Sequence, residues 1–115
     1  MTETVQTDQV GNWSRQLRKG VLEFLVLLRL REREYYGYEL VHAVAETADG
    51  EVAEGTLYPL LNRLAKQELI SSRWDQVASG RRRRYYRITD LGEAALREMM
   101  NRWINLDSAI RRLSQ

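Results

Sequence analysis

Four consecutive arginines, residues 81–84, are the group of side chains in this 115-residue sequence with the clearest chemistry. Adjacent guanidinium groups repel one another, and their N–H donors match phosphate oxygens and the edge of guanine. The run therefore predicts an anionic partner. We expect Arg81, Arg82 and Arg83 to contact a nucleic-acid backbone or to enter a minor groove. The alternative is a stretch of solvated surface charge.

Residue types exclude several other kinds of site. The sequence has no cysteine, and His42 is its single histidine. A zinc or iron centre built from cysteine and histidine lacks ligands, and the sequence shows no catalytic arrangement of a nucleophile with His42. We therefore predict no metal, no cofactor and no enzyme activity. Because no segment approaches the ~18 apolar residues of a membrane span, we expect a cytoplasmic protein with no membrane partner.

The formal net charge of +2 conceals opposite charges on the two halves of the chain. Residues 1–57 carry six basic and ten acidic side chains, whereas residues 58–115 carry twelve basic and six acidic ones. Of the 18 cations, 16 are arginine. This bias favours recognition of phosphates or base edges over simple solvation, although arginine-rich codon usage is an alternative.

Hydrophobic periodicity predicts three helices before the arginine run. Residues 1–12 show no periodicity and are expected to form a flexible tail. The first helix, about residues 14–30, is apolar nearly all round and should be buried. The second helix starts at Gly37 and ends in a turn at residues 49–50. The third runs to about residue 67 and starts between residues 53 and 56; Thr56 is the easiest N-cap, since Pro59 then falls in the first turn.

A β-hairpin and a final helix follow. Residues 69–74 and 83–89 alternate with period two, and residues 75–82 should form a flexible loop between them. We expect Trp74 and Tyr86 to cover the core side of the hairpin. Thr89 or Asp90 then caps the last helix, with Glu93 completing a capping box if Asp90 is the cap.

The order of these elements predicts a mainly α fold with a small β-hairpin, a winged helix-turn-helix (residues 13–89) plus a C-terminal dimerisation helix (residues 90–115). In that fold the third helix presents its polar face to the DNA major groove. Asn62 suits adenine, and Lys66 or Arg63 suits guanine or phosphate; a solvated helix face is the alternative. The predicted DNA contacts are Tyr38, Gly55, Thr56, Tyr58, Asn62, Arg63, Lys66, Arg81, Arg82 and Arg83.

The last helix carries apolar residues separated by 3, 4, 3, 4 and 3 positions. They are Leu96, Met99, Trp103, Leu106, Ile110 and Leu113. This spacing is a heptad seam and predicts a homodimer. The alternative is that the stripe packs on the core of its own chain.

Four segments, residues 20–23, 36–40, 54–64 and 80–89, resemble the PadR family of bacterial transcription regulators. The resemblance extends over residues 14–113, and the single terminal helix is similar to the short form of the family. It implies a homodimeric winged-helix repressor that binds a palindromic operator in double-stranded DNA.

Two positions depart from the family pattern. Ala53 stands where the family often has a serine-like cap before the third helix, so the start of that helix stays open between residues 53 and 56. Glu68 stands where the family usually turns on a glycine, so a less sharp connection into the following strand is expected.

Trp103 further resembles a tryptophan that stacks on effectors across the dimer axis in multidrug-responsive members of the family. This resemblance implies a planar aromatic or cationic drug-like ligand, whose binding would release the repressor from DNA. The residues assigned to that site are Val21, Met99, Met100, Trp103 and Asp107. The alternative is that the tryptophans only pack the dimer interface. Two other readings of the whole chain stay open: a non-specific or architectural nucleic-acid-binding protein, and a winged helix that binds protein.

Overall fold

The computed structural model describes residues 7–48 and 52–115, which form four helices and three strands. These are α1 (Thr7–Glu32), β1 (Tyr35–Tyr36), α2 (Gly37–Thr47), α3 (Glu54–Lys66), β2 (Ile70–Gln76), β3 (Arg82–Ile88) and α4 (Asp90–Leu113). The expected flexible tail is wrong for residues 7–12, which are the first turns of α1. Residues 1–6 and the turn predicted at residues 49–50 lie outside the described residues. Within the described part of the chain, no helix has the length and hydropathy needed to cross a membrane.

Helix α1 lies at the centre of the fold, as its apolar sequence predicts. Leu22, Val26, Leu27 and Leu30 are buried along it. The core is completed by apolar residues from every other helix and from the sheet, including Leu40, Val44, Leu57, Leu61, Leu64, Ile70 and Tyr86. This core fixes α3 and the sheet against α1, and so positions the polar surfaces described below.

The sheet has three antiparallel strands in the order β1-β3-β2. The predicted hairpin is present, with Ile70 opposite Ile88 and Gln76 opposite Arg82. Its loop is shorter than expected, because the strands extend to residues 76 and 82 and Gly80 closes the turn with a φ of 84°. Strand β1 was not predicted: two tyrosines carry no alternation signal, and only their pairing with β3 makes them a strand.

Helix α3 begins one turn earlier than a Thr56 cap would allow. Its N-cap is Ala53, whose carbonyl accepts hydrogen bonds from the N–H groups of Thr56 at 2.9 Å and Leu57 at 3.1 Å. Pro59 consequently lies in the second turn, where it removes one backbone bond, the one to the carbonyl of Gly55. The helix tolerates this loss because its buried leucines hold it against the core.

A tight turn joins α3 to β2, contrary to the less sharp connection that Glu68 predicted. Glu68 adopts a left-handed φ of 62°. The N–H of Leu69 donates to the Leu64 carbonyl at 3.0 Å, and that of Glu68 to the Ala65 carbonyl at 3.0 Å. These two bonds form a Schellman motif, the usual place for glycine. Tertiary packing of β2 therefore imposes the turn on a residue that does not favour it.

Helix α4 is capped and packed at its start, then leaves the core. Thr89 is the N-cap, and its Oγ1 accepts from the Gly92 N–H at 3.0 Å. Leu96, which the heptad spacing assigned to a dimer seam, is 2% exposed in the core of its own chain, and Met99 packs against that core. The assignment of Leu96 to the seam is therefore wrong. The stripe beyond it, Trp103, Leu106, Ile110 and Leu113, is exposed.

Candidate nucleic-acid interface

A groove of about 660 Å³ lies between α3, the start of α2 and the β2–β3 hairpin. It brings together six of the predicted DNA contacts: Tyr38, Tyr58, Asn62, Arg81, Arg82 and Arg83. Tyr36, Gly37, Trp74, Arg84 and Tyr86 complete its lining. Residues far apart in sequence thus share one surface that combines amide, phenol and guanidinium groups.

Helix α3 has two polar flanks instead of one. Tyr58 and Asn62, one turn apart, face the groove. Thr56 and Arg63 line a second groove of about 480 Å³ beside α1. There Arg63 Nη2 lies 3.1 Å from Glu23 Oε2, an ion pair between partly exposed side chains. Arg63 is therefore paired with a carboxylate, and the sequence pattern did not indicate this contact.

The remaining two predicted contacts on α3, Gly55 and Lys66, are exposed outside the lining of both grooves. They lie at opposite ends of the helix. A long nucleic-acid duplex along α3 could reach both ends, whereas a small ligand in the groove could not.

The ring of Tyr58 is held against the start of α2 by a close approach to Gly37. A Cβ at Gly37 would lie 3.1 Å from Tyr58 Oη and 3.3 Å from its Cε1. Partial burial and, next, the charge of Glu54 raise the pKa of Tyr58. Its hydroxyl can donate to a phosphate oxygen. Sequence reasoning used Gly37 as a helix start and missed this packing role.

Stacking on aromatic rings accounts for how the arginine run is tolerated. Arg83 lies 4.3 Å from the ring centroid of Tyr36, Arg82 5.0 Å from that of Trp74, and Arg84 5.3 Å from that of Tyr86. A guanidinium stacked by its face keeps its N–H edge for a bidentate anion. Of these rings, only Tyr36 comes from outside the hairpin.

Arg84 belongs to the groove although it was not among the predicted contacts. Its Nε donates to Ser72 Oγ at 3.0 Å across the hairpin. The strand register that places Arg84 opposite Trp74 could have indicated this, since both residues then share one face of the sheet.

Arg73 of β2, which is not part of the groove lining, is paired with carboxylates instead. Arg73 Nη2 donates to Glu34 Oε1 at 2.7 Å, and Nη1 to Asp75 Oδ2 at 3.0 Å. These hydrogen bonds raise the pKa of Arg73. Its guanidinium also covers the ring of Tyr85, 4.8 Å from the centroid. Arg73 is therefore less available to an anion than the arginines that line the groove.

A third groove, of about 390 Å³, lies between α1, the end of α2 and α4. It contains Val21 and Trp103 from the predicted effector site, and the Trp103 ring is 6.1 Å from that of Phe24. The other three residues of that prediction lie outside its lining. Met99 packs on the core, Met100 is half-buried elsewhere on α4, and Asp107 accepts a hydrogen bond from Arg111 Nε at 2.9 Å. The structure therefore does not group the five residues in one chain.

Three helices with a polar flank of the third beside a basic β-wing define a winged helix-turn-helix protein of the DNA-binding class. Residues 26–98 match the transcriptional regulator PadR-like family, and the chain belongs to that family. It is therefore a transcriptional regulator from a family whose members bind DNA and are not enzymes.

Solved structures of the same family are similar over nearly the whole chain. A PadR-family transcriptional regulator from Eggerthella lenta is 40% identical with a TM-score of 0.80, covering 98% of this chain and 95% of that chain. A PadR-like transcriptional regulator from Bacillus cereus is 37% identical with a TM-score of 0.79, covering 87% and 97%. Transcriptional regulator Rv3488 of Mycobacterium tuberculosis is 34% identical over 84 residues, 73% of this chain and 77% of that protein.

Proposed function

We propose that this chain is a homodimeric, sequence-specific repressor of transcription that acts on operator DNA in the cytoplasm. The observation that carries the proposal is the groove that joins the Tyr58–Asn62 flank of α3 to the stacked arginines of the wing. A helix in the major groove and a wing on the adjacent backbone need these two surfaces side by side. Arg73, outside this groove, is already paired with Glu34 and Asp75.

The contacts divide into those that position the protein and those that read the base sequence. Asn62 pairs with adenine, and Gly55 allows the DNA backbone to approach closely. Arg81, Arg82 and Arg83 grip the backbone or enter the minor groove beside it. Hydroxyl and ammonium groups on α3 and at the start of α2 bind phosphates: Tyr38, Tyr58, Thr56 and Lys66. Arg63 joins them by exchanging Glu23 for a phosphate.

Dimerisation through α4 is supported by the exposed apolar stripe on its second half. Leu106 and Ile110 are each more than half exposed, and Leu113 is 82% exposed. A helix of 24 residues is about 36 Å long and outreaches the core that covers its first turns. A second copy of the chain would cover the stripe and set the distance between two recognition helices, about 34 Å for successive major grooves.

An effector site is proposed in the groove around Trp103. Its volume of about 390 Å³ and its apolar lining, with Val21 and Phe24 beside the indole, suit a planar aromatic ligand. Because the groove lies between α1 and α4, a ligand there would favour one arrangement of the dimer helices. Its effect on operator affinity is limited to its differential affinity for the two arrangements.

Tryptophan fluorescence tests this effector site. We expect planar aromatic compounds to quench the fluorescence of the wild-type protein and not that of a Trp103→Ala variant that still dimerises. Absence of quenching in the wild-type protein contradicts the site.

Selection of bound fragments tests the main proposal. The purified protein is mixed with sheared genomic DNA from its own organism, and the retained fragments are sequenced. We expect enrichment of a palindromic motif and tighter binding to a duplex that contains it than to a shuffled duplex of equal length. Equal affinity for both duplexes would instead establish the non-specific architectural protein. Absence of binding to any duplex would contradict DNA recognition altogether.

A further inference from the structure

An exposed indole lies on the inward face of the wing. Residues 70, 72, 74 and 76 of β2 share one face of the sheet, and that face is buried at its base, where Ile70 and the neighbouring Tyr86 are each 2% exposed. Four residues beyond Ile70, Trp74 is 56% exposed. Trp74 was expected to cover the core with Tyr86, and this expectation is wrong, because the hairpin extends beyond the helices that could cover the ring.

Two guanidinium groups flank this indole. Arg82 lies 5.0 Å and Arg84 6.0 Å from the centroid of the Trp74 ring. The strand register explains the arrangement: Trp74 is opposite Arg84, and Arg82 is the next inward residue of β3. The ring thus offers one apolar surface to two like charges.

The same ring lines the groove that contains Tyr58 and Asn62. A duplex with α3 in its major groove must pass its sugar-phosphate backbone across this groove to reach the wing. That backbone alternates apolar deoxyribose with phosphate, and the groove wall alternates an indole with guanidiniums. The two patterns are complementary in charge and in polarity.

We propose, on the basis of the DNA-binding function proposed above, that Trp74 is a direct DNA contact. Its indole packs against a deoxyribose of the backbone strand that crosses the groove. Arg82 and Arg84, held beside the ring, bind the adjacent phosphates. Trp74 therefore determines affinity for duplex DNA of any sequence, whereas base discrimination stays with α3.

Affinity measurements on three variants test this role. The probes are the enriched duplex from the genomic selection and its shuffled counterpart, titrated by fluorescence anisotropy. Trp74→Leu, which keeps bulk without a π face, should weaken binding to both duplexes about tenfold, and Trp74→Phe by less than about threefold. We also compare the slope of log affinity against log salt concentration. An Arg82→Ala/Arg84→Ala variant should have a slope lower than wild type by about two, and the slope of Trp74→Leu should fall towards that value. Binding by Trp74→Leu that equals wild type in affinity and salt slope would overturn the proposal.

Intrinsic tryptophan fluorescence gives a second readout, which holds even if the Trp74→Leu variant does not fold. The chain has three tryptophans. Subtracting the titration of Trp74→Phe from that of wild type isolates the Trp74 signal. We expect a change in this signal that saturates with bound duplex; its absence at saturating DNA would overturn the contact. If wild-type protein binds neither duplex, the proposed function itself fails, which distinguishes the two outcomes.

Discussion

Glu68 holds a left-handed backbone conformation with a φ of 62° at the end of α3. That conformation costs a residue with a Cβ about 1–2 kcal/mol, and glycine avoids the cost while losing about 0.5–1 kcal/mol of chain entropy. Glu68→Gly should therefore raise the free energy of unfolding by about 0.5–1 kcal/mol, measured by urea denaturation. The neighbouring Gln67 has an ordinary φ of −78°, so Gln67→Gly should lower it. Stabilisation by both changes would contradict this explanation.

Gly92 is required because a side chain at this position would collide with its neighbours, and not because its backbone has a positive φ. A Cβ at this position would lie 2.0 Å from the Leu69 carbonyl oxygen, which accepts a hydrogen bond from the Thr89 N–H. Gly92→Ala should consequently lower the free energy of unfolding by about 1–3 kcal/mol, although alanine is the better helix former. Gly20→Ala on α1 is the matched control, because its Cβ would meet nothing within 4 Å. We expect that control to raise the thermal midpoint, and a fall in both variants would refute the steric argument.

At the scale of the element, α3 separates base reading from phosphate binding along one helix. Asn62 faces the wing groove, whereas Lys66 is exposed one turn further on. Asn62→Ala should relax preference at a single base pair at a cost of about 1–3 kcal/mol for the enriched duplex. Lys66→Ala should weaken every duplex alike and lower the salt slope by about one. Anisotropy titrations against single-base variants of the duplex at several salt concentrations measure both effects. Exchanged phenotypes would show that the roles of Asn62 and Lys66 are assigned the wrong way round.

At the scale of the whole molecule, an extended shape, 61 × 29 × 21 Å, leaves the end of α4 beyond the core. Ile110→Glu places a charge within the proposed seam and should convert the dimer into a species with the 13.5 kDa mass of one chain, measured by light scattering after size exclusion. Ser108→Glu, on the opposite side of α4, should leave the dimer intact. A dimeric Ile110→Glu variant with unchanged helicity would show that the seam lies elsewhere.

Local signals were sufficient for much of the fold and part of the site. The periodicity of α2 to α4, the alternation in the hairpin and the arginine run are each contained within a few residues, so they could be found without tertiary information. The start of α1 and strand β1 could not, because residues 7–12 carry few apolar side chains and Tyr35–Tyr36 is defined only by its partner strand.

The sequence by itself determined the class of the protein. It showed three helices followed by a β-hairpin and a last helix, a cationic wing, and motifs typical of one regulator family. Tertiary structure decided which partner each side chain takes. It directed Leu96 into the core, paired Arg63 with Glu23 and left Trp74 exposed between two arginines. The physical reason is that periodicity describes one element at a time. Choices between partners that are close in space and distant along the chain are made only when the elements pack.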